Sequence, residues 1–222
     1  MPNNGLKNRQ NLSRNIMPAD YKKEWMEKSA IDYFSPFISL WLACNSWYMS
    51  HYSDLNDIHP GNKNAKDRDY INKIKEDTTG RNHLYCFFAD HIDKDGREGI
   101  AFRTDLELLH YSLERANLIP KNIDRCSMLS AVVDYQDKVN PVNLIIRPRT
   151  NQDGTVHAND RNNVIKLDQI YITSNKQQCF AEVIEIIYQV RNMLVHGNLC
   201  PDKEQHNVVK YCYRILWAMM NS

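Results

Sequence analysis

The stretch Asn175–Gly197, NKQQCFAEVIEIIYQVRNMLVHG, decides the fold. Apolar side chains cover most faces of this segment at helical spacing, which predicts one long helix over Asn175–Val195. Gly197 ends the predicted helix, because glycine readily takes the positive φ that a helix C-terminus requires. At about 100° per residue, the remaining polar residues share one narrow face, which Arg191 borders. This face, called the polar seam below, consists of Glu182, Glu185, Gln189, Asn192 and His196.

Two interpretations of the polar seam stay open at the level of sequence. It is either the solvent-exposed face of an amphipathic helix or a functional site. A solvent-exposed face usually favours Lys and Glu, whereas this seam ends in Asn192 and His196, with Arg191 beside them. The sharp stop at Gly197 also presents His196 on the last turn.

Working outward from this helix, the chain is predicted to be mainly α. Residues 1–18 lack periodicity and predict a mobile N-terminal arm, and 19–222 predict a single helical domain with a small β or loop insertion around 140–173. The predicted helices are Asp20–Tyr52 with a kink or break at Pro36, Asp67–Asp77, Thr104–Asn117 capped by Thr104, Ser127–Tyr135, Asn175–Val195 and a last helix from Asp202. The predicted strands are Leu144–Ile146, Val164–Leu167 and Ile170–Thr173, with a turn at Asn151–Gly154.

Asn45 is a second-tier candidate residue. It lies on the apolar stripe of the first predicted helix, between Trp41 and Tyr48, so we expect it to be buried and hydrogen-bonded. Such a buried amide either bonds a neighbouring helix as part of the core or stands behind Arg191 or His196.

Composition excludes several classes of protein. The 222 residues include 28 Lys+Arg against 27 Asp+Glu, which argues against a polybasic protein that binds nucleic acid by bulk charge. The six cysteines form no C-x-x-C pair, and two of them lie in apolar helical patterns, where a free thiol acts as a small apolar side chain. This pattern indicates a reducing compartment. The polar N-terminus has no signal-peptide character, and no run approaches the ~18 apolar residues of a membrane helix. We therefore expect a cytoplasmic protein that binds no membrane.

No metal or cofactor is predicted. The histidines show no zinc-binding spacing, and the calcium-like loop at 91–102 places Phe102 where the twelfth ligand should be Glu. The basic residues Arg147, Arg149 and Arg161 flank the β-insertion; they are either ordinary surface charge or contacts to an RNA backbone.

The segment RNMLVH at 191–196, followed by Gly197, resembles the R-N-x-x-x-H signature of the HEPN (higher eukaryotes and prokaryotes nucleotide-binding) superfamily. The closing segment VVKYCYRILWAMM and the early segment FISLWLACNSWY are also similar to helices of this superfamily. The resemblance covers roughly 20–52 and 175–220. It implies an antiparallel bundle of four to five helices, usually a homodimer in which Arg and His face each other across the two-fold axis.

Catalytic HEPN proteins are metal-independent endoribonucleases of toxin–antitoxin, CRISPR-linked and antiviral systems. The resemblance therefore implies that Arg191, Asn192 and His196 form a catalytic site, and that the chain dimerises through the Asn175–Gly197 helix. Cleavage would leave 2′,3′-cyclic phosphate and 5′-hydroxyl ends, and an antitoxin or defence-system protein would be a partner.

These residue types suit that chemistry, because histidine transfers protons near neutral pH and a guanidinium binds phosphate oxygens bidentately. The alternative is a non-catalytic HEPN-like module that binds a nucleotide or RNA, or serves dimerisation.

Overall fold

Helices dominate the computed structural model, which describes residues 32–58, 65–118, 145–146 and 148–222. The elements all belong to the unit Tyr33–Ser222. Within the described residues they are α1 (Phe34–His51), α2 (Leu55–Ile58), α3 (Asp67–Glu76), α4 (His83–His91), α5 (Arg97–Arg115), β1 (Ile145–Ile146), α6 (Ala158–Arg161), β2 (Val164–Lys166), β3 (Tyr171–Thr173), α7 (Lys176–Val195) and α8 (Lys203–Met220). The mainly α prediction is confirmed. The predicted N-terminal arm, residues 20–31 of the first predicted helix and the Ser127–Tyr135 helix lie outside the described residues.

Both ends of α7 follow from local sequence. The Asn175 side chain accepts a hydrogen bond from the backbone N–H of Gln178 at 3.1 Å and so caps the helix. At the other end Gly197 has a φ of 70°. Its N–H donates to the carbonyl of Leu194 at 3.2 Å, and the next N–H, of Asn198, donates to Met193 at 2.8 Å. These two bonds form a Schellman motif, so the predicted glycine stop is confirmed.

The sequence predicted a kink or a break at Pro36, and the structure has a helix boundary two residues before it, because Asp32 and Tyr33 are not helical. The helix begins at Phe34, so Pro36 lies in its first turn. The N–H groups of a first turn have no partner within the helix, and proline is tolerated there. The proline therefore stands near the start of α1, just after the helix boundary.

The structure also differs from the prediction at the start of α5 and by containing α4. The structure starts α5 at Arg97, seven residues before Thr104, whose hydroxyl donates to the carbonyl of Ile100 inside the helix instead of capping it. The short helix α4 was not predicted, because its sequence HLYCFFADH has no clear polar face. Asn82 caps α4 and is fully buried. Its side-chain amide also donates to the carbonyls of Ile74 and Asp77, so its polar groups are satisfied in the core.

The β-insertion forms an antiparallel sheet in the strand order β1-β3-β2. The central residue Ile172 pairs with Ile145 on one side and Ile165 on the other. The buried Glu107 of α5 anchors the insertion by accepting the backbone N–H groups of Asp168 at 2.6 Å and Gln169 at 3.0 Å. The predicted strands are confirmed from residue 145 onward, while 140–144 lie outside the described residues.

Helix α7 lies at the centre of the described helices and packs against α1, α3, α4 and α8. Burying a large aliphatic or aromatic side chain stabilises the fold by about 1.5–3 kcal/mol, so this helix is a major source of stability. Its fully buried residues include Phe180, Val183, Ile186, Ile187 and Val190. Its exposed residues lie at its two ends, where Gln177 and Val195 face solvent. Across the described helices, none is both long and apolar enough to cross a membrane.

Candidate functional site

Most of the polar seam packs against α3 rather than facing solvent. Gln189 is buried, and Glu182 and Glu185 are half-buried. The interpretation of the seam as a solvent-exposed helix face is therefore wrong over 182–189. The C-terminal part of the seam differs, because Asn192 is half-buried and His196 is exposed.

Glu185 is the centre of a polar network between α3 and α7. Its carboxylate accepts hydrogen bonds from Arg68 at 2.7 and 2.8 Å, from Lys75 at 2.8 Å and from Gln189 at 2.8 Å. Its side chain is only 14% exposed. Burial alone would raise the pKa of Glu185, but the bonds from Arg68 and Lys75 outweigh it and lower the pKa. The carboxylate is thus held ionised, and it ties the two helices together.

Glu182, one turn earlier, has the opposite electrostatic environment. Burial raises its pKa, the positive charge of Lys75 lowers it in part, and the negative charge of Glu185 raises it further. A carboxyl group that is buried without adequate charge compensation is destabilising when ionised. The two neighbouring glutamates therefore make contributions of opposite sign to stability at neutral pH.

Arg191 is fixed at the C-terminal edge of this network. Its Nη1 donates to the Asn192 side-chain oxygen at 2.8 Å and lies 3.4 Å from a carboxylate oxygen of Asp67. Its guanidinium lies over the ring of the buried Trp41, 5.4 Å from the ring centre. Both polar contacts use Nη1, so within the described part of the chain Nε and Nη2 have no hydrogen-bond partner. The side chain is 22% exposed, so part of it reaches solvent.

Asp67 and Tyr48 complete the surroundings of Arg191, and sequence reasoning missed their role. The Tyr48 hydroxyl donates a hydrogen bond to Asp67. Burial and this hydrogen bond raise the pKa of Tyr48, so it stays neutral. The sequence gave little indication that Asp67 contacts Arg191. An acidic residue in the first turn of a helix is common, because it interacts favourably with the helix dipole.

The nearby Cys44 is not a nucleophile. Burial, followed by the negative charge of Asp67, raises the pKa of its thiol to about 12. At neutral pH the thiol is therefore protonated, whereas the thiolate is the reactive form.

His196 stands apart from the other predicted site residues. It is the C-cap residue of α7, with an exposed side chain. Its backbone N–H donates to the carbonyl of Asn192 at 2.9 Å, but no hydrogen bond joins its imidazole to Arg191 or Asn192, both of which the structure describes. The structure thus brings Arg191 and Asn192 together and leaves His196 free to contact a ligand or a second chain.

The prediction that Asn45 is a buried, hydrogen-bonded amide is wrong. Its side chain is half-buried and makes no hydrogen bond to any residue that the structure describes. It remains on the α1 face that carries Trp41 and Tyr48, which contact Arg191 and Asp67. The structure therefore does not connect Asn45 to the site by a hydrogen bond.

The arginines near the insertion are explained in part. Arg149 donates to Asp160 at 2.7 and 3.0 Å, so its charge is paired at the surface. Arg161 is exposed, and Arg147 lies outside the described residues. The surface-charge interpretation fits Arg149.

A cavity of about 440 Å³ opens between α3 and the start of α7, away from the predicted site. Its lining is rich in carboxamides and consists of Asn72, Lys75, Glu76, Asn175, Gln177, Gln178 and Ala181. The nearest of these on α7, Ala181, precedes Arg191 by ten residues, which is about 15 Å along a helix. The cavity and the Arg191–His196 end of α7 are therefore separate features.

Among the described residues, no group of three or more His, Cys, Asp or Glu side chains is placed to hold a metal ion. Comparisons of the chain with family models, with curated proteins and with solved structures found no match. The functional argument therefore rests on the chemistry of this chain's own residues. At the end of α7 these residues provide a fixed, partly exposed guanidinium and an exposed imidazole.

Proposed function

We propose that the chain is a metal-independent endoribonuclease with an HEPN-like helical bundle, acting as a toxin or antiviral defence effector. The observation that carries the proposal is the arrangement of Arg191. Its Nη1 is held by Asp67 and Asn192, while Nε and Nη2 have no hydrogen-bond partner among the described residues and the side chain is partly exposed. Two parallel N–H donors fit the oxygens of a phosphate, which a single ammonium cannot match.

In the proposed reaction, one imidazole accepts the proton of a 2′-hydroxyl while the 2′-oxygen attacks the adjacent phosphorus. The bond from phosphorus to the 5′-oxygen breaks, and a second imidazole in its protonated form donates a proton to the leaving oxygen. Arg191 stabilises the added negative charge on the non-bridging oxygens. The products are a 2′,3′-cyclic phosphate and a 5′-hydroxyl.

The mechanism needs two imidazoles, and a two-fold homodimer would supply His196 twice. Because most of α7 is buried within its own chain, the dimer contact would use the C-terminal end of the Asn175–Gly197 helix. The exposed Val195 next to His196 supports this placement. Helix α1, whose Trp41 lies beneath Arg191, also exposes Leu42 and Met49. An antitoxin or another defence-system protein is the further partner that this proposal includes.

The test is RNA cleavage by purified protein in the presence of a chelator, with analysis of the product ends. His196→Ala and Arg191→Ala should each lower cleavage by ~10²-fold or more, because one removes proton transfer and the other removes charge stabilisation. Arg191→Lys should rescue poorly, since it loses the fork of donors. Asn192→Ala should cost less, because the carboxamide acts only by holding Arg191.

Matched controls are His157→Ala and Arg161→Ala, which remove the same residue types from the insertion surface. Thermal unfolding of each preparation separates loss of chemistry from loss of fold. Cleavage at the wild-type rate by His196→Ala, or 5′-phosphate products that require magnesium, would refute the proposed reaction.

One observation favours a second candidate function, a non-catalytic HEPN-like module that binds RNA or a nucleotide or supports dimerisation. The ion pair with Asp67 and the position over Trp41 make Arg191 part of the packing between helices. In that case the protein would not cleave RNA in the presence of a chelator, and Arg191→Ala would weaken ligand binding or dimerisation instead.

A further inference from the structure

The outer surface of α8 has a composition that the proposed active site does not explain. Five residues at spacings of four, three, four and three share this face, called the α8 outer face below. They are Lys203, Asn207, Lys210, Arg214 and Trp217. Lys203, Arg214 and Trp217 are exposed, and the other two are half-buried. Glu204 is the one acidic residue within the helix, against two Lys and one Arg.

Trp217 is the most unusual member of the α8 outer face, because half of its surface (51%) is exposed. The indole stacks on Tyr213 one turn earlier, with ring centres 5.9 Å apart and planes 29° from parallel. This contact holds the ring in place while leaving much of it accessible. A fixed aromatic surface of this kind suits stacking with a nucleobase, which every base can provide.

Arg214 is arranged like Arg191. Its Nε donates to the buried carboxylate of Asp105 at 3.0 Å, and its side chain is 45% exposed. Both Nη groups are without a hydrogen-bond partner within the described ranges. Asp105 thus fixes the guanidinium and leaves its outer edge available for a phosphate. Lys210, one turn earlier, lies over the ring of Tyr211 at 5.2 Å.

The α8 outer face begins close to the proposed active site. Seven residues separate His196 from Lys203, so the two are at most ~25 Å apart along the chain. From Lys203 the face continues for fourteen residues to Trp217, which is ~21 Å along a helix. Along the chain, the cations of the α8 outer face therefore come between His196 and the stacking surface of Trp217.

We propose that the α8 outer face binds single-stranded RNA and leads it toward His196. This inference rests on the proposed ribonuclease function and adds the path of the substrate. Cations spaced along a helix next to an exposed aromatic ring match the charged groove and stacking surface with which proteins bind a single strand.

The test measures RNA binding without cleavage. The probe is a fluorescein-labelled RNA of about 20 nucleotides, a length that exceeds the site size of one binding module. Its 2′-O-methyl groups block attack by the 2′-oxygen. Fluorescence anisotropy gives the Kd at several salt concentrations. Trp217→Ala should weaken binding by ~5- to 100-fold, and Trp217→Phe should restore most of it, because each stacked base contributes on the order of 1–3 kcal/mol. Lys210→Ala with Arg214→Ala should lower the salt slope by about 1.4, two phosphate contacts at ~0.7 each.

Matched controls are Arg97→Ala with Lys166→Ala for the two charges, and Ile100→Ala for the exposed apolar side chain; all three residues are exposed. If wild-type protein binds RNA and the α8 variants bind equally well, the inference is wrong while the ribonuclease proposal stands. If Trp217→Ala instead changes the molecular mass in solution and leaves the RNA Kd unchanged, the face is a protein contact. If wild-type protein binds no RNA, both proposals fail.

Discussion

Glu182 and Glu185 lie one turn apart on α7, yet the structure predicts that neutralising them changes stability in opposite directions. Glu185 is ionised and bonded to two cations, whereas Glu182 is buried with a raised pKa. The substitutions Glu185→Gln and Glu182→Gln keep size and shape and remove one charge each. They therefore test whether the polar seam is an internal network or a solvated surface.

The magnitude for Glu185 follows from its partners. A hydrogen bond to a charged group contributes about 1.5–3 kcal/mol. Arg68 and Lys75 retain 30% and 22% exposure of their side chains, so water compensates part of the loss when the carboxylate becomes an amide. We expect Glu185→Gln to lower the free energy of unfolding by about 2 kcal/mol. For a chain of this size, that lowers the Tm by about 4–8 °C.

The pH dependence has a definite sign. The pKa of Glu185 is lowered on folding, so its stabilisation is complete above the unfolded pKa and is lost as pH falls through the folded pKa. The pKa of Glu182 is raised on folding, so its cost is present at neutral pH and disappears as pH falls through the folded pKa toward the unfolded value. Glu182→Gln should thus raise the Tm at neutral pH, and neither variant should differ much from wild type well below pH ~4.

Urea and thermal unfolding of wild type, both variants and the exposed control Glu204→Gln would measure these differences. Equal stability of Glu185→Gln and wild type at neutral pH would show that the network does not bind α3 to α7. A shift of both variants in the same direction would contradict the opposite electrostatic environments of the two glutamates.

The remaining predictions concern the end of α7, the insertion and assembly. Gly197→Ala places a Cβ at a φ of 70°, so it should cost about 1–2 kcal/mol in chemical denaturation. Glu107→Ala leaves the backbone N–H groups of the β2–β3 turn without their acceptor and should make the insertion a preferred site of limited proteolysis, with α7 still protected. Val195→Glu should convert the proposed dimer into monomers in light scattering, whereas Ile100→Glu should not.

The sequence predicted α7, α8 and the sheet well because their signals are local. Asn175, Gly197 and Asp202 each act on groups within a few residues, and they lie at helix ends that the sequence predicted. The start of α5 was missed because Thr104 is a good cap residue by type but lies inside the helix, where its hydroxyl bonds the preceding turn. Local preference fails where tertiary packing decides the boundary.

The site was predicted only in part for a similar reason. Periodicity placed Arg191, Asn192 and His196 at one end of α7, and the structure agrees. Periodicity could not reveal that Asp67, more than a hundred residues earlier, contacts Arg191, or that Tyr48 bonds Asp67. Asn45 was misjudged because its stripe is apolar, yet the edge of that stripe meets solvent.

The polar seam therefore has two parts with different consequences for function. Glu185 and its partners determine how α3 lies against α7, and α3 in turn carries Asp67, which holds Arg191. A change at Glu185 can reach the guanidinium only through this packing, so it should lower stability more than it lowers the intrinsic rate of cleavage. A change at Arg191 alters the accessible donors directly and should do the reverse. Stability and cleavage measured on the same preparations thus separate residues that position the site from residues that act in it, which neither measurement achieves alone.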